Sequence, residues 1–258
     1  MKILFFSSVF YPSVGGMETV AEVLANEFQK YGHEVSLVTR TVLKNESFDH
    51  NWAFRVFRNP SLITYWKLAK EADIIFHNCI SLKQLFPDLF YKNKIFVMHQ
   101  TWYRSSNGDF DIQSRLKRRI CQLINNCFIS KAIKDDLGLN GRIIPNTYNF
   151  KTFKKNDNIH PSIEFVFLGR LVSDKGCSLI LEALKLANSI NSKFKPNLSI
   201  IGDGPEKQKL EAYAENYLPG QIRFLGKLQG DKLAKVLNQH KVLVIPSIWA
   251  EPFGIVAL

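Results

Sequence analysis

Arg170 and Lys175 lie within the segment Gly169-Arg170-Leu171-Val172-Ser173-Asp174-Lys175-Gly176, between an apolar run and the start of an amphipathic one. A guanidinium can fork onto two phosphate oxygens, and an ammonium at a helix start adds charge where the backbone already favours an anion. The pair suits a diphosphate; the plainer alternative is a solvated turn with ordinary surface cations. Ser13-Val14-Gly15-Gly16 sits in the same kind of position after the first apolar run. Paired glycines let a backbone approach a ligand closely, or merely satisfy a loop that needs positive φ. The segment is neither GxGxxG nor GxxxxGK[ST], so it supports neither a dinucleotide fingerprint nor a P-loop.

Other candidates are more weakly marked. Gly202-Asp203-Gly204-Pro205 is a tight turn after a strand. Glu251 is a lone acid among apolar neighbours in Pro246–Gly254, where a carboxylate needs a partner such as a sugar hydroxyl or a backbone N–H. His99 and His77 each end an apolar run, where open α/β sheets place their sites. Asp109-Phe110-Asp111 has a spacing able to chelate a divalent metal, but it follows the polar loop Ser105–Gly108 and reads better as solvated. Arg115, Lys117, Arg118 and Arg119 form either a solvated helix face or a contact for anionic lipid or an anionic acceptor. Phe86, Phe90, Tyr91, Trp102 and Tyr103 are acceptor-side surface by location, or core.

These residues need elements to hold them. Lys2–Ser7, Glu34–Thr39, Asp73–His77, Lys94–Met98, Cys127–Ser130 and Arg142–Pro145 read as buried strands, short and rich in Ile, Val and Phe. Met17–Tyr31 is a helix by the recurrence of Val20, Leu24, Phe28 and Tyr31, stopped at Gly32. Ile112–Ile124 is another. The polar Asn149–Pro161 stretch reads as a linker. Strands Ile163–Gly169, Leu198–Gly202, Ile222–Leu225 and Lys241–Pro246 then alternate with helices Cys177–Ser189, Glu206–Asn216 and Asp231–Gln239. Such alternation implies an α/β fold with parallel sheets. The division expected is residues 1–150, a linker at 151–162, and a second domain at 163–258, with ligand between them.

The 258 residues are 46% hydrophobic and 22% charged, enough for real cores and unlike a disordered chain. The net charge of +11 is spread over both halves, with 19 basic against 13 acidic residues up to position 150 and 15 against 10 after it. No basic tail exists, and no Lys/Arg run interleaved with aromatics argues for nucleic acid. Cys79, Cys121, Cys127 and Cys177 show no metal-ligand spacing and fit a reducing cytoplasm. No 18-residue apolar window exists.

Together the segments resemble glycosyltransferase family 4, the retaining nucleotide-sugar enzymes of GT-B fold. The resemblance rests on Gly15-Gly16-Met17-Glu18, Tyr31–Val35, Phe128-Ile129-Ser130, Pro145-Asn146, Gly169-Arg170 with Lys175-Gly176, Gly202–Pro205, Pro246-Ser247 and Glu251–Val256. It implies two Rossmann-like, doubly wound domains facing across a cleft, with a hexose moved from a UDP- or GDP-linked donor to a glycan or lipid-linked acceptor. Arg170 and Lys175 would hold the donor diphosphate, with backbone contact from Gly16. His99 would stand beside the donor sugar as a catalytic residue. Glu251, the other catalytic residue implied, would bind a hexose hydroxyl, assisted by backbone N–H groups of Phe253, Gly254 and Ile255. No metal or other cofactor is implied, and the protein would be cytoplasmic, with peripheral contact to an anionic membrane. Thr147 replaces the usual Gly after Pro-Asn. The second acid of the paired-glutamate motif would fall at position 259, so the second domain is expected to be incomplete. The alternative is accordingly a truncated or degenerate chain that keeps the fold with little activity.

Overall fold

The computed structural model describes residues 1–43, 52–104 and 109–257. The chain divides into two compact units, Met1–Tyr148 and Asn149–Leu258. Ser105–Gly108, read from sequence as a polar loop, lies outside the described residues.

Unit 1 is a parallel sheet of β1 (Lys2–Ser7), β2 (Glu34–Thr39), β3 (Arg55–Arg58), β4 (Ile74–Asn78), β5 (Ile95–His99), β6 (Asn125–Phe128) and β7 (Arg142–Ile143). Their order is β3-β2-β1-β4-β5-β6-β7, so the winding reverses between β1 and β4, and open α/β sheets bind ligands past the carboxyl ends of strands at such a reversal. Helix α1 (Gly16–Lys30) buries Ala21 and Ala25 over Ile3, Phe5, Val35 and Leu37, and its Val20 is buried as well. Tyr31 corrects the periodicity expected of it: it caps the helix and is 78% exposed. Helices α2 (Leu62–Glu71), α3 (Leu82–Asp88), α4 (Ile112–Cys121) and α5 (Lys131–Leu137) are the other α-helices among its described residues. Of these, the sequence pattern marked only α4. The apolar residues that begin α2 face outward, which blurs its 3.6-residue period, and β3 is too short and too arginine-rich to stand out.

Unit 2 has four parallel strands among its described residues: β8 (Ile163–Leu168), β9 (Leu198–Ile201), β10 (Ile222–Gly226) and β11 (His240–Leu243), ordered β10-β9-β8-β11. Helices α6 (Cys177–Ile190) and α7 (Lys207–Tyr217) bury Ile180, Leu181, Leu184 and Leu210 on Phe167, Leu198 and Ile200. The opposite face, Val166 and Ile201, packs on Leu233 of α8 (Gly230–Asn238). Alternate residues of β8 and β9 therefore feed two apolar cores, which is why those strands read as continuous apolar runs. The winding of this unit reverses between β8 and β11.

Candidate functional site

In unit 2 three loops meet past the carboxyl ends of β8, β9 and β11. After β8 the chain runs through Gly169–Val172 into a single 3-10 turn, Ser173–Lys175, and then α6. Gly169 N–H donates to the Ile201 carbonyl at 3.0 Å and Leu171 N–H to the Asp203 carbonyl at 3.0 Å, while Leu171 accepts from Glu206 N–H at 3.1 Å. A Cβ on Gly202 would sit 1.8 Å from the Gly169 carbonyl oxygen, and φ there is 144°. Glycine is thus imposed at Gly202 by close backbone approach as well as by its dihedral. Gly176, at φ 67°, starts α6; its Cβ would lie 2.2 Å from the Pro246 oxygen.

The third loop closes on the same turn. Ile248 and Trp249 N–H groups both donate to the Asp174 carbonyl, at 3.1 and 3.4 Å. This brings Glu251 to Lys175, whose Nζ donates to Glu251 Oε1 at 2.5 Å; Ser247 Oγ donates to the same oxygen at 2.9 Å. The two charged side chains are 20% and 28% exposed, so the pair is reachable but only half solvated. Both donors use Oε1, and Oε2 has no hydrogen-bond partner among the described residues. Arg170 is exposed and has no ion-pair or hydrogen-bond partner for its side chain there. The turn thus offers one uncompensated cation, one paired cation and one carboxylate oxygen. Two of the residues singled out from sequence, Lys175 and Glu251, are in direct contact. Past Glu251 the chain turns at Gly254, with φ 75°, and Ile255–Ala257 form a short 3-10 turn. Ser247 entered the sequence reading only within the Pro246-Ser247 segment and with no role at the site; a serine before a loop carries no chemical signal of its own.

In unit 1, Gly15 caps α1 with extended backbone, φ 178°, a conformation that any residue adopts. The Glu18 carboxylate folds over this helix start: a Cβ on Gly15 would lie 2.6 Å from Glu18 Oε2. Ser13 Oγ donates to Glu18 Oε1 at 2.9 Å. The free N–H groups expected at Gly16 therefore face a carboxylate of the same turn, and an anion there would meet it first.

A chain of buried amides supports that turn. Asn146 Nδ2 donates to Gln100 Oε1 at 2.9 Å, and Gln100 Nε2 donates to Asn78 Oδ1 at 2.8 Å. Asn78 Nδ2 then donates to Ser7 Oγ at 3.1 Å and to the Met17 carbonyl at 2.9 Å. The first turn of α1 is thereby tied to the residue after His99 and to the Pro145-Asn146 segment. Asn78 and Gln100 were not singled out from sequence; a single amide after an apolar run looks like any loop residue.

His99 is fully buried. Asn126 Nδ2 donates to the carbonyls of Cys121, Ile124 and Asn140, which leaves Oδ1 as the acceptor for His99 Nε2–H at 2.9 Å. Nδ1 then accepts from the Tyr103 hydroxyl at 2.6 Å, and the ring stacks on Phe128. Burial pushes its pKa down to about 4, so the ring is neutral at pH 7. Its two nitrogens are both used inside the fold.

His77 is equally buried. Its Nε2 and the Tyr65 hydroxyl both bond Asp88 Oδ2, at 2.9 and 2.6 Å. Burial, and then the Asp88 charge, raise the Tyr65 hydroxyl above its ordinary range. The cluster fastens α2 and α3 to β4. Asp111 has a structural task as well: it caps α4 by accepting from Ser114 N–H at 2.7 Å, and that bond holds its carboxyl below the usual range. No described helix is long and apolar enough to cross a membrane.

Residues 149–258 match the family model described as glycosyl transferases group 1. An uncharacterized glycosyltransferase of Methanocaldococcus jannaschii is 25% identical over 286 residues, covering 100% of this chain and 75% of its own length. One component of human phosphatidylinositol N-acetylglucosaminyltransferase is 24% identical over 96% of this chain, which spans 57% of that protein. Among solved structures, a Staphylococcus aureus TarM variant crystallised with fondaparinux, α-GlcNAc-glycerol and UDP aligns with TM-score 0.71 at 12% identity, over 95% of this chain and 81% of that one. WaaG, a glycosyltransferase involved in lipopolysaccharide biosynthesis, aligns with TM-score 0.68 at 14% identity, over 99% and 77%. Unit 2 thus matches the group 1 glycosyltransferase family, and the chain, with its two parallel α/β units, shares the GT-B fold of these solved structures.

Proposed function

We propose that this protein moves a hexose from a nucleoside-diphosphate sugar, UDP- or GDP-linked, to a glycan or lipid-linked acceptor with retention of anomeric configuration. The observation that carries the reading is the pair of cations at the start of α6. Arg170 stands exposed and Lys175 partly exposed where the winding of unit 2 reverses, the place where α/β sheets bind ligands. A diphosphate matches their charge. As the bond between the anomeric carbon and the diphosphate oxygen breaks, negative charge grows on the leaving group, and fixed cations stabilise that state more than the ground state.

Glu251 has two tasks in this reading. Oε1 holds Lys175 in place, and Oε2 accepts from a hexose hydroxyl, with backbone N–H groups of Phe253, Gly254 and Ile255 at the same sugar. Gly16 supplies backbone contact to phosphate once the Glu18 carboxylate moves aside. His99 acts by fixing Tyr103 and Asn126, since neither ring nitrogen is available to exchange a proton with a ligand. The UDP in the TarM structure supports the donor class.

Isothermal titration with UDP, GDP, ADP and their hexose conjugates tests the donor. Saturable heat is expected with UDP or GDP conjugates; absence of heat with every one of them at millimolar concentration sinks the reading. Retention is tested separately, by the NMR coupling constant of the anomeric proton in the product.

A further inference from the structure

The sheet of unit 2 ends on one side at β10. Among the described residues this strand pairs only with β9, so its other edge is open. Leu198 N–H donates to the Gln221 carbonyl at 2.9 Å. Backbone direction alternates along a strand, so Arg223 and Leu225 also turn towards β9, while Ile222 and Phe224 point their N–H and carbonyl groups outward. The register shift after Phe224 ends the open stretch there.

A groove of about 280 Å³ lies between this edge and α7. Ala214, Leu218, Ile222 and Phe224 give it an apolar lining, and Glu211 and Glu215 stand on its α7 side, one helical turn apart. Glu215 is exposed and has no ion-pair or hydrogen-bond partner among the described residues. Glu211 lies 3.8 Å from Lys207, with both side chains partly exposed, a loose pair that solvent screens. Two carboxylates therefore stand beside apolar surface and unpaired strand backbone, on a chain whose net charge is +11.

We infer that this edge takes up an extended basic segment of a partner protein as an added strand. The segment's backbone pairs with Ile222 and Phe224, alternate Lys or Arg stems lie along the groove lining, and their charged heads reach Glu211 and Glu215. On the other face of the strand Leu225, 37% exposed, meets the intervening apolar side chains. Charge selects this occupant, since an acidic segment would meet the two carboxylates instead. A second copy of the chain fits less well. A two-fold contact through β10 would set α7 beside its equivalent, with Glu211 and Glu215 facing the same pair. The groove shares no residue with the loops that carry Arg170, Lys175 and Glu251, so the inference does not depend on which donor or acceptor the protein uses.

Fluorescence polarisation of a labelled hexapeptide of alternating Lys and Val, with the whole chain in roughly 0.15 M salt, tests it. Saturable binding is expected, with Kd at or below about 100 μM. A Glu–Val peptide of the same pattern and a fully N-methylated Lys–Val peptide should each bind at least about tenfold more weakly, the first for its charge and the second for its missing backbone donors. Glu211→Gln with Glu215→Gln should weaken the Lys–Val peptide about tenfold. Glu182→Gln, which removes an exposed acid of α6, should leave its binding unchanged. Circular dichroism checks the fold of each variant. Hydrogen exchange on the unmodified chain is an independent readout, in which the peptide should slow the N–H groups of Ile222 and Phe224. Failure of the Lys–Val peptide to bind overturns the inference. So does equal binding of its N-methylated form, binding that the double variant leaves intact, or a dimer of the free chain that already protects Ile222 and Phe224.

Discussion

Lys175 Nζ lies 2.5 Å from Glu251 Oε1, although the two residues are 76 apart in the chain. The contact exists because the loop after β11 folds onto the 3-10 turn after β8, through the two N–H groups that reach the Asp174 carbonyl. The cation proposed to meet the donor is thus held by the carboxylate proposed to meet the sugar. The pair has consequences that separate diphosphate binding from sugar binding.

Glu251→Gln removes the charge that competes for Lys175 and keeps a polar group at the same place. UDP affinity is expected to stay within about threefold of the parent or to rise, while a UDP-hexose loses its advantage over UDP. Lys175→Met and Arg170→Met should each weaken UDP itself, by roughly tenfold, the scale of one half-exposed charge-assisted hydrogen bond. Titration calorimetry with UDP and UDP-hexose on the three variants decides this. Equal loss of both ligands in Glu251→Gln would mean that Glu251 only builds the loop.

Gly202→Ala should fail structurally. The new methyl would sit 1.8 Å from the Gly169 carbonyl, against backbone that cannot swing aside, at φ 144°. The contact joins the loops after β8 and β9, so the damage falls on the turn that carries Arg170. A loss of at least about 2 kcal/mol is expected from strain of this kind. Urea unfolding of the variant checks it; a midpoint unchanged from the parent would show that the two loops are not locked together.

The parallel strands and the second unit's alternation were legible in sequence, because residues such as Phe167 and Val166 point into different cores and leave continuous apolar runs. Arg170, Lys175 and Glu251 were legible as candidates from charge placed at element ends. Their mutual contact was not, since nothing local in Pro246–Gly254 says that its N–H groups seek the Asp174 carbonyl. Helix α2 escaped because Leu62, Ile63 and Trp66 face outward, so its apolar residues do not follow the period of a buried stripe. His99 shows the opposite limit: a strand-end histidine marks a place, and only the partners Tyr103 and Asn126 show that both nitrogens are already used.

Asn78→Ala should loosen α1 without unfolding unit 1. The substitution takes a donor from the Met17 carbonyl and from Ser7 Oγ, and an acceptor from Gln100 Nε2. A buried network broken at its middle leaves several groups unpaired, which costs about 2–3 kcal/mol. Hydrogen exchange should accelerate selectively at the N–H groups of the first two turns of α1. Uniform acceleration across unit 1 would show instead that the amide chain serves the whole sheet.

The buried neutral His99 gives stability a definite dependence on pH. Its pKa falls from the ordinary 6.5 to about 4 in the folded chain, because burial disfavours the imidazolium. The unfolded chain therefore binds more protons between these values, so folding stability is complete above about pH 6.5 and declines as the pH falls towards 4. A shift of this size corresponds to about 3 kcal/mol in that window. His99→Leu would be less stable at pH 7, since Tyr103 and Asn126 Oδ1 lose their partner, yet its stability should fall less steeply on acidification. Urea midpoints of parent and variant at half-unit steps from pH 7 to 4.5 measure the difference of slopes, which removes the contribution of the other titrating groups. Parallel curves would mean that His99 takes up its proton alike in the folded and unfolded chain, with Nδ1–H then donating to the Tyr103 hydroxyl oxygen and Nε2–H still to Asn126 Oδ1.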